Sequence, residues 1–593
     1  MRGFLWAFGQ FDSLQSAFSR GRLGQSLVSL NPPQPLGSGQ WVVSATIDTC
    51  ATPFRMRAAP FAGVSISGRI YGLAGHSTAG LDAESILRLA FQSDGRDAQA
   101  KLNGEYCFCL VDSTSGAVHA SVDLFGVRSL YYLQMQGIWA VSDSCSALLA
   151  LFGSQLSLNG LAIASALVPF SEPCSERGET FYSDLRVLRA GEWLRVDLRT
   201  GQADTSRIGL PAHLIEFDHY SAGQLDDALR DALSAALVDR IAHENAVLTL
   251  SGGIDSALLA TQLADLRKAR PGMQIHALTS VLRGDSGEDE AYHAELTARA
   301  LEIDLQRTIR DPGPVRFPVA SLVPWAEHPM ALYDDLSQVR ALMALGSPSI
   351  SGLGADELVA TSLRRPGRRR GWFARLRRRI ARFRSGPASM PAPECPDLTR
   401  LTQDPTPAWI PARWHDALPQ PGLEGAPGGG DQHAWHELLL PNAGFCTDVE
   451  ARDDVGMLRA DVSLPYLDQR VVRVVLNPAV AQLDLDRAPA SPAKQALRRL
   501  LHGRVPEAVT GRRKSPAGQP FFVRYSGPEL AQLPAALAQV PRIGEFLRPD
   551  QLPSPVVDSP WSTLYPLIAG VSVGSWLHHH SGVERQWTAT TAR

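Results

Sequence analysis

The clearest chemical signal in the chain is a turn rich in glycine and serine at residues 250–256. An apolar run ends at Leu250 and is followed by Ser-Gly-Gly-Ile-Asp-Ser. Glycines let the backbone approach an anion closely, and the N–H groups that open the next helix donate to it together with the serine hydroxyls. A Gly-Gly pair alone is usually only a turn, but this pattern after an apolar strand predicts a pyrophosphate site. The predicted nucleotide contacts here are Leu250, Ser251, Gly252, Gly253, Asp255 and Ser256.

A carboxylate in such a loop needs a counter-charge. Asp255 lies where the charge of a polyphosphate would concentrate, which is favourable only with Mg2+ between them. A second carboxylate is therefore expected, and the turn after another apolar run, at 348–357, supplies Asp356. Asp255 and Asp356 are the predicted Mg2+ ligands, although Asp356 taken alone is also a reasonable helix N-cap. Ser351 and Gly352 are predicted to face the nucleotide at the carboxyl edge of a parallel sheet.

The elements that must hold these loops alternate between helices and strands. From about residue 219 the spacing of apolar residues switches repeatedly between the helical period and short apolar runs. This alternation indicates a parallel α/β sheet. The predicted elements are helix 221–242, strand 246–250, helix 256–269, strand 274–279 and helix 288–300.

The earlier part of the chain shows short alternating strands separated by turn residues. This pattern indicates an α+β layered domain with a mainly antiparallel sheet. The change of pattern places a boundary near residue 212, so the two predicted domains are 1–212 and 213–593. The predicted elements of the first are strands 41–47, 63–71, 105–112, 117–123 and 138–142, and helix 82–92.

Motifs in both halves point to one family. In the second half they are SGGIDS from residue 251, SGLGADE from residue 351 and the segment 492–518. In the first half they are LNGEYCFCLVD from residue 102 and VDLFGVRSLYY from residue 122. In this order they resemble the glutaminase-type and synthetase domains of the asparagine synthetase superfamily. The resemblance implies an α+β N-terminal nucleophile-type, glutaminase-like sandwich followed by an α/β ATP-pyrophosphatase domain of the adenine nucleotide alpha hydrolase-like type.

The resemblance also implies a reaction, in which ATP and Mg2+ serve to adenylate a carboxylate that is then passed to an amine. Lys514 matches the family's catalytic lysine, which would balance negative charge on the α-phosphate and on the later oxyanion. The alternative for Lys514 is a surface lysine among arginines. Glu450 falls near the position of a base for the amine, with a salt bridge to Arg452 as its alternative. Ser280 and Lys494 complete the predicted ATP contacts.

Three positions depart from the family pattern. Arg2 stands where glutamine-hydrolysing members have a catalytic cysteine, and arginine cannot act as that nucleophile. Arg69 replaces an acid in the segment that holds glutamine, so the first domain is predicted to be catalytically silent. Leu353 replaces a glutamate in the synthetase turn, which argues against free aspartate as the substrate.

The class of this superfamily that accommodates all three departures is the lasso-peptide macrolactam synthetase. The resemblance then predicts that an Asp or Glu side chain of a ribosomal precursor peptide is adenylated. The N-terminal amine of the peptide closes the ring, and AMP and pyrophosphate are released. The precursor peptide is the predicted partner, with leader-binding and protease proteins beside it. The alternatives are a glutamine- or ammonia-dependent asparagine synthetase, a β-lactam-synthetase-like enzyme for a small amino acid, and a binding scaffold without turnover.

An insertion at about 364–431 interrupts the second half. Residues 364–384 carry eleven arginines and no acid. This basic segment is a predicted contact for an acidic peptide, a partner protein or an anionic membrane surface, and a solvated, poorly ordered stretch is the alternative. The remainder, 385–431, is rich in proline and glycine and is predicted to be a mobile surface loop.

Composition excludes several classes of protein. A chain of 593 residues is long enough for two or more cores. With 57 Lys and Arg against 60 Asp and Glu, the net charge of −3 gives no overall electrostatic case for a nucleic-acid partner. Seven cysteines are few for this length, and neither a signal sequence nor a membrane-length apolar run is evident. We therefore expect a cytoplasmic protein without a transmembrane segment.

Overall fold

The structure is a computed structural model of the chain. It describes residues 2–10, 12–15, 28–30, 34–37, 40–48, 63–112, 114–168, 174–209, 211–214, 220–241, 244–282, 285–310, 337–345, 348–355, 358, 407–418, 450–452, 457–459, 461–477, 494–512, 532–553, 566–567 and 569–578.

The first half contributes twelve described strands, with helices between them. The strands are β1 (Arg2–Gln10), β2 (Val28–Leu30), β3 (Gln34–Gly37), β4 (Gln40–Asp48), β5 (Val64–Leu73), β6 (Leu102–Asp112), β7 (Ala117–Val122), β8 (Tyr131–Met135), β9 (Ile138–Ser142), β10 (Leu185–Val187), β11 (Glu192–Asp197) and β12 (Ala203–Arg207). The helices are α1 (Ala83–Asp94), α2 (Ala98–Lys101), α3 (Cys145–Phe152) and α4 (Gly160–Ala166).

These strands form two antiparallel sheets that pack face to face. One has the order β10-β8-β9-β1-β4-β2, with β3 also on β4, and the other has the order β12-β11-β7-β6-β5. Alternate residues of β1 point into the space between the sheets, where Phe4, Trp6 and Phe8 meet Cys107 and Cys109 of β6. Helix α1 covers the outer face of the second sheet, because Leu87 packs against Phe108. The first half is therefore a layered α+β sandwich.

The second half is built on a parallel sheet. Its strands are β13 (Asn245–Thr249), β14 (Gln274–Leu282), β15 (Asp304–Arg310), β16 (Ser349–Ile350) and, after the separate antiparallel pair β17 (Glu450–Arg452) and β18 (Met457–Arg459), β19 (Val462–Ser463). The order is β15-β14-β13-β16-β19, with every neighbouring pair parallel. Its helices include α5 (Ala222–Arg240), α6 (Ile254–Ala269), α7 (Asp285–Ala300), α8 (Ser337–Leu345), α9 (Gln469–Val475), α10 (Gln495–Leu501) and α11 (Glu507–Thr510).

The predicted elements are confirmed in both halves. The antiparallel strands and α1 lie within a few residues of their predicted positions, and so do α5, β13, α6, β14 and α7. Local signals set these helices, as where Ser221 and Gln224 cap α5 reciprocally. The boundary near residue 212 stays a prediction. Among the described helices, none is long and apolar enough to cross a membrane.

One prediction about the insertion is wrong for part of its length. Residues 407–418 lie within the predicted mobile loop, yet Ile410 and Leu418 are buried in the core that also holds strands β8 and β9. Trp414 lies over Gly160, at the start of α4, and its indole N–H donates to the carbonyl of Glu545 at 2.7 Å. Aromatic and branched side chains inside the Pro- and Gly-rich stretch anchor this piece. The rest of 364–431 lies outside the described residues.

The buried histidine of β7 makes the first half sensitive to acid. His119 accepts the indole N–H of Trp193 at 3.1 Å, and burial lowers the pKa of His119 from 6.5 to about 4. The unfolded chain takes up a proton near pH 6.5 that the folded chain excludes until about pH 4. Stability from this group is therefore present above pH 6.5 and is lost as the pH falls toward 4.

We expect the free energy of unfolding to fall by about 2 kcal/mol through His119 between pH 7 and pH 5. Urea titrations at the two pH values should show this loss in the parent protein and a smaller loss in His119→Gln. Equal losses in the two proteins would contradict the assignment.

Candidate functional site

The predicted anion loop lies at the carboxyl end of β13, inside the parallel sheet. Gly252 has a φ of +71°, and a Cβ there would lie 2.3 Å from the carbonyl oxygen of Glu290 in α7, so only glycine fits. The Ser256 hydroxyl accepts the N–H of Ser251 at 3.2 Å and donates to the carbonyl of Gly253 at 3.1 Å. These bonds fold the loop into a compact turn at the N-terminus of α6, where backbone N–H groups favour an anion.

The neighbouring strand β14 brings Ser280 to this loop. The N–H of Leu250 donates to the carbonyl of Leu278 at 2.9 Å, which sets Ser280 level with Ser251. The Ser280 hydroxyl is buried and has no hydrogen-bond partner within the described part of the chain. Since a buried hydroxyl without a partner is costly, this group suits a ligand contact.

The second predicted loop, after β16, meets the first. The N–H of Ser351 donates to the carbonyl of Ser463 at 3.0 Å, which extends the parallel pairing of β16 with β19. A Cβ on Gly352 would lie 3.1 Å from the backbone nitrogen of Ser256, so the two loops are in van der Waals contact. Leu353 follows, with 40% of its surface exposed. The structure therefore assembles both loops at one edge of the sheet.

A lysine and a carboxylate are paired where the loops meet. Lys494 Nζ lies 2.5 Å from Asp255 Oδ2, and the phenol of Tyr466 donates to the carbonyl of Asp255 at 3.0 Å. Lys494 stands at the start of α10 with φ 66° and ψ 44°, a left-handed conformation that is uncommon for residues other than glycine. Such strain clusters at functional sites. The predicted ATP contact and the predicted metal ligand are thus neighbours.

Asp255 fits the predicted Mg2+ site as one oxygen ligand beside an anion loop. The second predicted ligand, Asp356, lies outside the described residues. In the parts of the chain that the structure describes, no three His, Cys, Asp or Glu side chains are grouped as a metal site. The two-carboxylate site remains a prediction.

Two arginines at this edge escaped the sequence analysis. Arg512 donates to the carbonyl of Gly252 at 3.0 Å. Arg498 lies one helical turn beyond Lys494 and donates to the carbonyls of Thr510 and Arg512. Burial lowers the pKa of Arg498, and the charge of Asp255 opposes that shift. The available signal for Arg498 was its position in the sequence, only four residues after the predicted nucleotide contact Lys494.

The remaining predicted residues are only partly visible. Glu450 begins β17, where its backbone pairs with that of Arg459 in β18, and its side chain lies outside the description. Lys514 is likewise outside, two residues beyond Arg512. Their roles therefore stay predictions.

Family comparison agrees with this arrangement. A model of asparagine synthase matches residues 224–552, more than half of the chain. The chain belongs to the asparagine synthase family. A glutamine amidotransferase domain model matches residues 73–207, in the antiparallel half.

Curated relatives are more distant. The amidase chyE of Penicillium rubens is 25% identical over 295 residues, which are 47% of this chain and 43% of chyE. The amidase chry2 of Gibberella zeae is 25% identical over 296 residues, which are 46% of this chain and 42% of chry2. The chain thus spans less than half the length of these two curated relatives.

Solved structures give a weak likeness. The allosteric regulatory enzyme of purine biosynthesis aligns with 54% of this chain and 82% of its own at 11% identity and a TM-score of 0.21. Glutamine phosphoribosylpyrophosphate amidotransferase from B. subtilis aligns with 59% and 90% at 12% identity and a TM-score of 0.21. A TM-score this low does not establish a shared fold.

The geometry of Gly252 yields a sharp test of the anion loop. Gly252→Ala should weaken ATP binding by about tenfold or more, a loss of roughly 1.4 kcal/mol, because the new methyl group meets the backbone of α7. Calorimetric titration with ATP measures the change.

Gly503→Ala is the matched control. Gly503 has the same φ of +71°, so alanine suffers the same backbone strain there, but no atom lies within 4 Å of the added Cβ. Equal ATP affinities for the two variants would count against a nucleotide at this loop.

Proposed function

We propose that the protein is an ATP-dependent amide synthetase that closes a macrolactam in a ribosomal precursor peptide. The enzyme adenylates an Asp or Glu side chain of the peptide, and the peptide's own N-terminal amine then displaces AMP. The observation that carries the proposal is the meeting of the anion loop, the Lys494–Asp255 pair and the exposed Leu353 at one sheet edge.

The residues at this edge suit the adenylation step. An oxygen of the substrate carboxylate attacks the α-phosphorus of ATP, the bond to the bridging oxygen breaks, and pyrophosphate leaves. The N–H groups of the loop and the ammonium of Lys494 hold the phosphates. Asp255, with Asp356, would hold Mg2+, which neutralises polyphosphate charge when bound.

The second step transfers the acyl group to the amine. Lys514 is assigned to stabilise the oxyanion of the tetrahedral intermediate, and AMP departs as that intermediate collapses. The attacking amine must be neutral, and Glu450 is assigned to take its proton. Proximity within the folded peptide supplies much of the rate.

Two features favour a peptide over free aspartate. Leu353 presents an apolar, partly exposed side chain in the second loop. Asparagine synthetases, which this chain resembles, have a glutamate at that position. Arg69 lies 3.5 Å from Asp461 and so forms an ion pair with the second half. Because Arg2 and Arg69 stand where glutamine-hydrolysing members have the nucleophile and an acid, the first domain is assigned no ammonia-releasing role, and the amine comes from the substrate.

The relatives' names offer a second reading. Both are called amidases, and an amidase breaks the bond that a synthetase makes. The anion loop and its lysine favour synthesis, since hydrolysis of an amide needs no nucleotide. ATP dependence separates the two activities.

A peptide substrate also suggests which partners and which compartment the enzyme has. The precursor peptide is the proposed partner, and leader-binding and protease proteins would act with the enzyme. The basic segment 364–384 is a candidate contact for an acidic partner or an anionic membrane. The cytoplasm, which supplies ATP, is the proposed compartment.

Mass spectrometry of the protein with ATP, Mg2+ and candidate core peptides tests the activity. We expect the peptide to lose one water while AMP forms in equal amount, and a peptide with its acceptor Asp or Glu changed to Asn or Gln should stay linear. AMP formation from free aspartate and ammonia, without peptide dehydration, would instead show asparagine synthetase activity and contradict the proposal.

Lys514→Ala tests the predicted oxyanion group. Cyclisation should slow by about 10²- to 10³-fold, as for removal of other oxyanion donors. Arg513→Ala is the control, because it removes an adjacent positive charge without a predicted role. Full cyclising activity in Lys514→Ala would contradict the assignment of Lys514 as the oxyanion-stabilising residue.

A further inference from the structure

The carboxylate of Glu105, in the first half, forms hydrogen bonds and an ion pair with residues of the second half. Glu105 lies in β6 with 2% of its surface exposed. It accepts the N–H of Leu464 at 2.8 Å and the hydroxyl of Ser463 at 2.6 Å. The guanidinium of Arg240 lies 2.8 Å away, and the phenol of Tyr71 donates at 3.2 Å. Three of these four partners belong to the second half.

Tyr71 remains a donor in this cluster. Burial, together with the charge of Glu105, raises the pKa of Tyr71 to about 12, so its phenol stays protonated near neutral pH. The guanidinium of Arg240 stacks on the Tyr71 ring at 4.3 Å. Arg240 also lies 2.9 Å from Asp468, the N-cap of α9.

The segment that Glu105 holds reaches both loops of the nucleotide site. Ser463, whose hydroxyl bonds to Glu105, receives the N–H of Ser351 on its carbonyl. Three residues on, Tyr466 donates to the carbonyl of Asp255 at 3.0 Å. A Cβ on Gly354 would lie 2.9 Å from the side chain of Leu467, which packs directly under the second loop. Residues 461–468 therefore connect Glu105 to both loops.

We propose that Glu105 is a positioning residue for ATP, acting through the segment 461–468 to hold the loops at Asp255 and Ser351 in register. This inference rests on the proposed function. It gives the first domain a role that needs no glutaminase chemistry, because its buried carboxylate is part of the support of the nucleotide site.

Charge is what makes this support specific. A carboxylate accepts every one of the donors around Glu105, whereas a neutral amide presents its own N–H groups to at least one of them. Removing the charge also leaves the buried Arg240 with less compensation. Loss of the Glu105 charge should therefore shift the residues 461–468 that bond to it, and with them the two loops that these residues contact.

The experiment compares Glu105→Gln with Glu192→Gln. Glu192 is a matched control, because it is a buried carboxylate of the same half, paired with Arg189 at 2.8 Å, and its side chain makes no described contact with 461–468. ATP affinity is measured by calorimetry, and KM for ATP and kcat by AMP release.

We expect Glu105→Gln to raise both the dissociation constant and KM for ATP by about 3- to 30-fold, with a smaller change in kcat. Glu192→Gln should leave both constants near the parent values even if its melting temperature falls. A parallel change in the two variants, or no change in Glu105→Gln, overturns the proposal.

Tyr466→Phe keeps the test decisive if Glu105→Gln does not fold. It removes only the hydroxyl on Asp255 and should also weaken ATP binding, and parent-like affinity would overturn the proposal. Where both variants fold, their effects should combine less than additively because they act along one path. Failure of the parent to bind ATP would instead refute the proposed function.

Discussion

A buried charge cluster between the two halves sets the constraint on which the nucleotide edge depends. Arg240 has 1% of its side chain exposed and lies between Glu105 of the antiparallel half and Asp468 of the parallel half. Burial alone would raise the pKa of Asp468. The guanidiniums of Arg470 and Arg240 outweigh that effect and hold this pKa at about 2. Breaking such a pair by removing one partner is costly, since it leaves a buried charge without compensation. The halves are therefore tied at fixed positions.

A second buried pair reinforces this tie. Arg128 of the first half, with 1% of its side chain exposed, bonds to Asp461, and Arg69 reaches the same carboxylate. Asp461 immediately precedes β19, the edge strand that receives β16. Charged contacts thus bracket the segment 461–468 at both ends. The loops that contain Asp255 and Ser351 contact this segment. The contacts between the two halves therefore also support the candidate site.

The helices, the strands and the two loops could be predicted from the sequence, but the contacts that support the loops could not. Periodicity located α6 and β13, and the glycine pattern located the turn at Gly252, because these signals are local. Pairings across hundreds of residues, such as Glu105 with Leu464, leave no local signal, since each partner is an ordinary polar or apolar residue in its own segment. The packing of Trp414 on Gly160 was missed for a similar reason. Proline and glycine dominate the composition around Trp414 and conceal the apolar anchors among them.

The family assignment and the geometry lead to one chemical claim, that a substrate carboxylate attacks the α-phosphorus of ATP. A precursor peptide whose acceptor carboxylate carries oxygen-18 tests this directly, because the oxygen that forms the acyl-phosphate bond leaves with the nucleotide. If the carboxylate is adenylated, the heavy oxygen appears in AMP after a single turnover. Heavy oxygen in inorganic phosphate with formation of ADP, or cyclisation without any transfer of the label to AMP, would contradict this chemical claim.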